Sequence, residues 1–426
     1  MKILVYGINF YPESIGVGKF TGEMSAWLSL QGNELRVVTA PPYYPNWHLY
    51  EGFKNRWRLE KSEGADDSSK FDIWRCPLWV PSKPSGLTRI LHLASFALSS
   101  FPVMMRQIFW KPDVVWAVEP AFVCAPAAWL TAKLSGASSW LHVQDFEMDT
   151  ALNLGLIRSA WFKRLAINLE HWLMKKFDRV STISAGMLQN LTDKGVESGR
   201  QILFPNWVDV DAIKPMTGVN NFREQSDWGD DTVVLLYAGN MGEKQGLELL
   251  VKAAGILEER EVRQELPGKS IRFLLCGDGM AKDRLQKMAS GLNMIHWLPL
   301  QPIDKLNELL NCADIHLLPQ SASVADLVMP SKLTGMLASG RPTIATTHSE
   351  TEVYRVVNNC GIAVLPDNVS TLVEAIVALA NDPERRQKLG RAARRYAEEN
   401  LDKETILRDF ESELYELVNK KNIRAI

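Results

Sequence analysis

Short apolar runs alternate with helical stretches from the first residues of this chain almost to its end, and the alternation is broken only once. "KILVYG", "ELRVVTA", "FDIWRC", "DVVWAV", "SSWLHV", "RVSTIS" and "RQILFP" read as strands. Most are too continuously apolar to keep one face wet, which is the mark of a sheet covered on both sides. Segments such as Lys19 to Leu30 and Trp161 to Lys176 carry helical spacing between them. Strand, helix, strand in repetition predicts a parallel α/β layout. The polar, Pro- and Asp-rich passage "PNWVDVDAIKPMTGVNNFREQSDWGDD" interrupts it, and "TVVLLYAG", "IRFLLCG", "MIHWLPL", "DIHLLP", "PTIATT" and "GIAVLP" resume it. A chain of 426 residues also exceeds what one hydrophobic core usually serves. Two doubly wound domains are expected, 1–206 and 207–402, with a last helix over about 403–421 able to pack back on the first. Ligands of such sheets bind outside the carboxyl ends of the strands.

Charge and cysteine usage narrow the class. Net charge is -2, but Met1 to Trp207 holds 22 Lys+Arg against 18 Asp+Glu, leaving 26 against 32 for the remainder. That modest asymmetry suits an N-terminal half facing anions or an anionic membrane, and no nucleic-acid partner is expected. Cys76, Cys124, Cys276, Cys312 and Cys360 are scattered, with no C-x-x-C spacing, which points to reduced thiols and away from zinc. "MKILVYG" runs from a strand pattern straight into a glycine loop, so a cytoplasmic chain without a signal peptide is expected. The apolar run Ile90 to Met105 contains His92 and Pro102 and is too short to span a bilayer. Arg89, Arg106 and Lys111 flank it, leaving two readings open, a buried helix or one lying on a membrane surface.

Four strand-end loops hold the candidate chemistry. In "GINFYPESIGVGKFTGEM", Gly16, Gly18 and Gly22 allow close approach of backbone to a ligand just before a helix expected near Lys19, or mark only a flexible loop. A dinucleotide or P-loop reading fails: no acidic residue follows the second strand, and Phe20 follows Lys19. "LHVQDFEMD" brings His142, Gln144, Asp145 and Glu147 to a strand end, where carboxylates can orient hydroxyls or move protons; a helix-capping cluster is the plainer alternative. "YAGNMGEKQGLELL" leaves Asn240, Gly242 and Lys244 in a turn before a helix. "MPSKLTGMLASGRP" reads as a short helix whose first turn sets free amides beside the Ser331, Lys332, Leu333 sequence, a phosphate-attracting arrangement or only a capped helix. "DVD", Asp209 to Asp211, looks like a metal clamp but falls in the interrupting passage and is read as linker and cap, so no metal is assigned.

These segments, in this order, resemble a GT-B glycosyltransferase of glycosyltransferase family 4. The resemblance runs through "YPESIGVGKFTGEMSAWLSLQGNELRVVT", "STISAGMLQNL" with "ILFPNWVD", "GNMGEKQGLELL", "FLLCGDG", "CADIHLLP" and "PSKLTGMLASGRPTIAT". "APPYYP" and "WRCPLWVP" look closer still to colanic acid biosynthesis fucosyltransferases. The resemblance implies two Rossmann-like domains facing across a crevice, and retaining, metal-independent transfer with no cofactor beyond the substrate nucleotide sugar. The donor would sit mainly on the C-terminal domain and the acceptor on the N-terminal one. The closer likeness implies GDP-fucose, a lipid-diphosphate-linked sugar acceptor, exopolysaccharide synthesis and a peripheral place on the inner face of the plasma membrane.

Residue by residue, the resemblance makes Lys244 the diphosphate lysine and catalytic with Asp145 and His142. Gly16, Val17, Gly18, Asn240, Ser331, Lys332 and Leu333 fall on the donor side, and Gln144 and Glu147 on the acceptor side. Two departures stand out. Asn240 occupies a common arginine position, and Leu327 and Gly335 stand where many members carry a pair of glutamates, with Asp326 one position away. A nucleotide-sugar 2-epimerase of the same architecture and a non-catalytic nucleotide-sugar-binding regulator are the competing functions.

Overall fold

The computed structural model describes residues 1–62, 70–82, 85–119, 122–146, 160–226, 228–229, 231–242, 245–263, 270–321 and 329–424. The chain divides into unit 1, Met1–Pro205 with Thr405–Ile426, and unit 2, Asn206–Glu404.

Unit 1 is built on β1 (Lys2–Tyr6), β2 (Glu34–Thr39), β3 (Arg58–Lys61), β4 (Asp72–Arg75), β5 (Val114–Glu119), β6 (Ser138–Val143), β7 (Arg179–Thr182) and β8 (Gln201–Leu203). Their order is β3-β4-β2-β1-β5-β6-β7-β8, parallel except for β3 against β4. The helices are α1 (Gly16–Leu30), α2 (Gly86–Gln107), α3 (Ala125–Ser135), α4 (Ala160–Met174) and α5 (Ala185–Asp193). The central strands β5 and β6 are buried throughout, as their unbroken apolar pattern requires.

Unit 2 carries β9 (Thr232–Ala238), β10 (Ser270–Cys276), β11 (Ile295–Leu298), β12 (Ile315–Leu318), β13 (Thr343–Thr346) and β14 (Gly361–Val364), ordered β11-β10-β9-β12-β13-β14 and parallel throughout. Around them lie α6 (Asn221–Glu224), α7 (Glu248–Val262), α8 (Lys282–Met288), α9 (Leu306–Asn311), α10 (Ser331–Ala338), α11 (Glu352–Cys360), α12 (Val369–Ala380) and α13 (Pro383–Asn400). The interrupting passage enters this unit, where Asp209 Oδ1 accepts from the amides of Asp211 (3.1 Å) and Ala212 (2.8 Å) as a local cap.

Each apolar run read as a strand forms one, but β3 escapes the pattern. Its residues "RLEK" are mostly exposed and polar. It is an edge strand held by charge, with Lys61 on Asp72 at 2.5 Å and Glu60 on Arg75 at 2.7 Å. The run Ile90 to Met105 lies within α2. One face is core, with Phe96 and Met104 buried and Ser100 Oγ 2.7 Å from the Tyr6 hydroxyl. No helix among the described residues is long and apolar enough to cross a membrane. All five cysteines are buried, and none is in a disulfide. Burial pushes the thiols of Cys76, Cys312 and Cys360 up to about 12 and that of Cys276 to about 11.

The chain leaves unit 1 after Pro205 and re-enters it at Thr405. Within unit 2 the outgoing and returning segments pair, the Val208 amide donating to Leu401 O (2.8 Å) and the Lys403 amide to Val208 O (3.1 Å). The last helix, α14 (Lys403–Arg424), then drives Phe410 into the unit 1 core. Its ring stacks on Phe204 at 4.2 Å and meets the edges of Trp140 at 5.1 Å and Trp116 at 6.0 Å. Asn33 Nδ2 donates to Glu411 Oε1 at 2.7 Å to fix the helix in register. Truncating an enclosed aromatic leaves a cavity that costs about 3–5 kcal/mol. Phe410→Ala is expected to destabilise unit 1 by that amount, read as a lowered urea midpoint followed by tryptophan fluorescence.

Candidate functional site

In unit 1 the candidate loops are locked from below by two buried charged side chains. Glu13, 1% exposed, accepts through Oε1 from the amides of Tyr43 and Tyr44 (3.0 Å each) and through Oε2 from Asn9 Nδ2 (2.9 Å). Burial raises its carboxyl above the usual range, and these three donors work against that rise. Arg75 is the second tie. Its guanidinium donates to Glu60 Oε1 (2.7 Å), Ala40 O (3.0 Å) and Tyr11 O (2.6 Å). The loops after β1, β2 and β4 are thereby one polar assembly. Neither residue stood out in the sequence; the only signal was the acidic residue inside "YPESIGVG".

The glycine loop is part of α1, which begins at Gly16, three residues before the expected start near Lys19. Gly16, with φ +60°, turns the chain out of the extended Ile15, and no side chain caps the helix. Gly18 must be small, because a Cβ there would stand 2.7 Å from Glu13 Cβ and Oε2. Gly16, Val17 and Gly18 occupy the first turn, whose amides find no acceptor within the helix. Such a turn attracts an anion.

At β6 the expected cluster separates. His142 is a strand residue, paired in register with Val118 and Ser181, and it is 1% exposed. Its ring stacks on Trp116 at 5.4 Å and meets Phe204 at 5.1 Å, while Nδ1 lies 2.8 Å from Ser181 Oγ. Burial pushes it down to about 3. The assignment of His142 to catalysis is therefore corrected to a place in the core, because β6 continues to Val143 and encloses the ring before the strand opens. Gln144 is also buried, Asp145 is exposed, and Phe146 is an anchor covered by Lys194, whose Nζ sits 5.0 Å above the ring and 2.7 Å from Glu170. Among the described residues, Asp145 is the exposed carboxylate that follows β6. Glu147 lies outside the described residues.

In unit 2 the turns after β9 and β10 touch backbone to backbone. Gly239 N donates to Cys276 O (3.0 Å), and Met241 N to Asp278 O (2.7 Å). A Cβ on Gly277, whose φ is +154°, would stand 1.9 Å from Gly239 O, and one on Gly279 2.5 Å from Met241 O. Only glycine satisfies both the dihedrals and the spacing. Across these turns the Lys332 ammonium lies 4.4 Å over the Tyr237 ring and 3.3 Å from its hydroxyl. That hydroxyl donates to Asn240 O at 2.6 Å. Burial holds the phenol protonated by raising its pKa. Tyr237 thus joins the start of α10 to the β9 turn, a role hidden in the sequence because a buried aromatic in a strand reads as core.

Helix α10 begins as expected, with Pro330 before it and no side-chain cap. Ser331 is exposed and Lys332 half-buried, so both face the edge. Leu333 does not: its side chain is fully buried and its amide donates to Pro330 O at 2.9 Å, which corrects its place on the donor side to packing. Asn240 is exposed at the same edge. Lys244, Asp326 and Leu327 lie outside the described residues. At Gly335 a Cβ would stand 3.3 Å from Leu310 Cδ1, so the absent side chain serves the approach of α10 to α9. Among the described residues no group of three or more His, Cys, Asp or Glu could hold a metal ion.

Taken separately, the unit 2 edge can bind an anion through amides and Lys332, and the unit 1 edge offers first-turn amides and the Asp145 carboxylate. The family model for a glycosyl transferase 4-like domain matches residues 16–207, and that for glycosyl transferases group 1 matches residues 219–396. A protein of Escherichia coli (strain K12) named "Putative colanic acid biosynthesis glycosyl transferase WcaI" is 44% identical over 96% of this chain and 98% of its own length. The sulfoquinovosyl transferase SQD2 of Arabidopsis thaliana is 24% identical over 71% of this chain and 56% of its own. Among solved structures, sucrose-phosphate synthase from Thermosynechococcus elongatus superposes with a TM-score of 0.74 at 14% identity, covering 98% of this chain and 99% of that one. WaaG, a glycosyltransferase of lipopolysaccharide biosynthesis, does so with a TM-score of 0.62 at 14% identity over 99% of both. These structural likenesses carry the fold.

The buried imidazoles set an acid limit. Burial pushes His142 in unit 1 and His316 in unit 2 down to about 3. The unfolded chain binds these protons near pH 6.5 and the folded one only near pH 3, so stability is complete above about 6.5 and is lost as pH falls through that window. The loss is at most about 1.4 kcal/mol per pH unit for each ring. Thermal unfolding should show a lower Tm at about pH 5 than at about pH 7.5, and His142→Phe, which keeps the ring stack, should shrink that difference.

Proposed function

The chain belongs to the glycosyltransferases, and from that premise we propose that it moves L-fucose from GDP-fucose, with retention of anomeric configuration, onto a lipid-diphosphate-linked sugar during synthesis of a colanic-acid-like exopolysaccharide. The observation that carries the reading is the 44% identity, along nearly the whole of both chains, to the colanic acid protein of Escherichia coli. The unit 2 edge supports a diphosphate as its ligand: Lys332 held over Tyr237, the uncapped start of α10 at Ser331, and Asn240 beside glycine turns that admit close approach. Lys244, which follows β9 in the sequence, is proposed as a second cation for the same ligand. Asp145 is assigned to the acceptor hydroxyl.

In the reaction proposed, the bond from the sugar's anomeric carbon to the diphosphate oxygen breaks as the acceptor oxygen bonds to that carbon from the same face. The acceptor's proton passes to an oxygen of the departing diphosphate. Negative charge grows on that diphosphate as the bond breaks, so preformed cationic and amide donors favour the transition state over the ground state. The first-turn amides of Gly16, Val17 and Gly18 are donors of the same kind. His142 acts only by holding β6 in place beneath Asp145.

Removing one preorganised donor from such a site costs roughly 10²–10³ in turnover. Lys244→Ala and Lys332→Ala are each expected to lower transfer by about 100-fold or more, Lys332→Ala with a small fall in Tm from the lost contact with Tyr237; near-native turnover in a folded variant refutes the assignment of that lysine. The nucleotide is tested by melting with GDP and with UDP, since a ligand that binds the folded state alone raises Tm. A rise with UDP alone refutes GDP-fucose as the donor. Conversion of a nucleotide sugar without any acceptor would favour the epimerase, and nucleotide binding with no turnover the regulator.

A further inference from the structure

Helices α2, α3 and α4 lead into β5, β6 and β7, three crossovers in one direction along the sheet, and right-handed crossovers set them in one layer. They touch within it: α3 packs on α2, and Trp129 of α3 meets Trp172 of α4 at 6.1 Å. The outer side of this layer is apolar where a solvated layer is polar. On α4, Trp161 (71% exposed), Leu165 (48%), Leu169 (50%) and Trp172 (49%) recur at intervals of four, four and three and form one stripe. On α2, Leu91 (52%) and Leu98 (76%) are likewise exposed, seven residues apart and so on one face.

Charge on the same layer has one sign. Neither "GLTRILHLASFALSSFPVMMRQ" nor "APAAWLTAKLS" contains a carboxylate, and "AWFKRLAINLEHWLM" has only Glu170, which is buried against Lys194 at 2.7 Å. The cations are outside. Lys133 and Arg164 are exposed on α3 and α4, with Lys175 and Lys176 just past the end of α4, while Arg89 and Arg106 of α2 lie over the rings of Trp47 and Trp74 at 5.4 Å each. The ammonium of Lys176 lies 5.1 Å over the Trp172 ring, and that of Lys133 5.0 Å over Trp129. Tryptophan rings with lysines folded over them, beside exposed leucines and without acidic neighbours, match the boundary between lipid headgroups and acyl chains.

We propose that the outer side of α2, α3 and α4 is a membrane-docking surface for anionic lipid, with the α4 stripe as its principal apolar contact. A protein partner suits it less well, because a surface patch of this size with no carboxylate offers no pairing for the basic residues a partner's rim would bring. Anionic headgroups match every exposed charge on the layer.

Sedimentation of the full chain with vesicles tests this without donor or acceptor present, so the outcome is independent of the reaction proposed above. Phosphatidylglycerol mixed into phosphatidylcholine should pellet the protein, and phosphatidylcholine alone should do so much less. Raising salt from about 0.1 M to about 0.5 M should weaken the binding severalfold. Trp161→Glu with Leu169→Glu, and separately Arg164→Glu with Lys176→Glu, should each lower vesicle partitioning by about tenfold or more at unchanged Tm. The proposal is overturned by equal binding to both vesicle types, by no binding of the folded wild type, or by variants that bind like it. Conversion of a dimer to a monomer by the α4 variant would overturn it also, giving the surface to a second copy.

Discussion

A parallel strand can be followed only by a crossover, so every strand-to-helix turn opens at the carboxyl edge of its sheet. The rest of this molecule follows from that constraint. It gathers the first turn of α1 and the end of β6 at one sheet edge, and the β9 and β10 turns and the start of α10 at another, although the elements at each edge lie far apart in sequence. An edge made of turns is soft unless something ties the turns together. Unit 1 does so with buried charge, Glu13 and Arg75, and unit 2 with backbone contact between glycines, stiffened by the Lys332, Tyr237 and Asn240 chain.

The two solutions respond differently to change. A carboxylate that accepts from two neighbouring amides can be weakened by degrees, since glutamine retains one acceptor oxygen. Contact at 1.9 Å from a hypothetical Cβ at Gly277 leaves no such intermediate. Unit 2 is accordingly the less tolerant of substitution at its turns, which is the side proposed to carry the nucleotide.

Much of this was legible in the sequence because it rests on local rules. Continuous apolar runs gave strands, and Pro330 with the stripe Leu333, Met336 and Leu337 gave α10. β3 was not legible, because charge pairing with β4 replaces apolar pattern there. The start of α1 was misplaced for want of knowing that Glu13 packs on Gly18, a tertiary contact. His142 illustrates the converse error: a histidine near acidic residues looks catalytic in sequence, yet the end of β6 one residue later is enough to enclose it between rings. Tyr237 failed for the same reason in reverse, its hydroxyl reaching out of a strand that looks purely apolar.

The buried cysteines have a practical consequence. With none of the five thiols exposed, and with the pKa of four of them pushed to about 11 or 12, almost no thiolate exists near neutral pH to react. The native chain is thus a blank background for maleimide chemistry. One cysteine introduced on an exposed helix position would carry a spin label or fluorophore alone, without first removing a single native thiol.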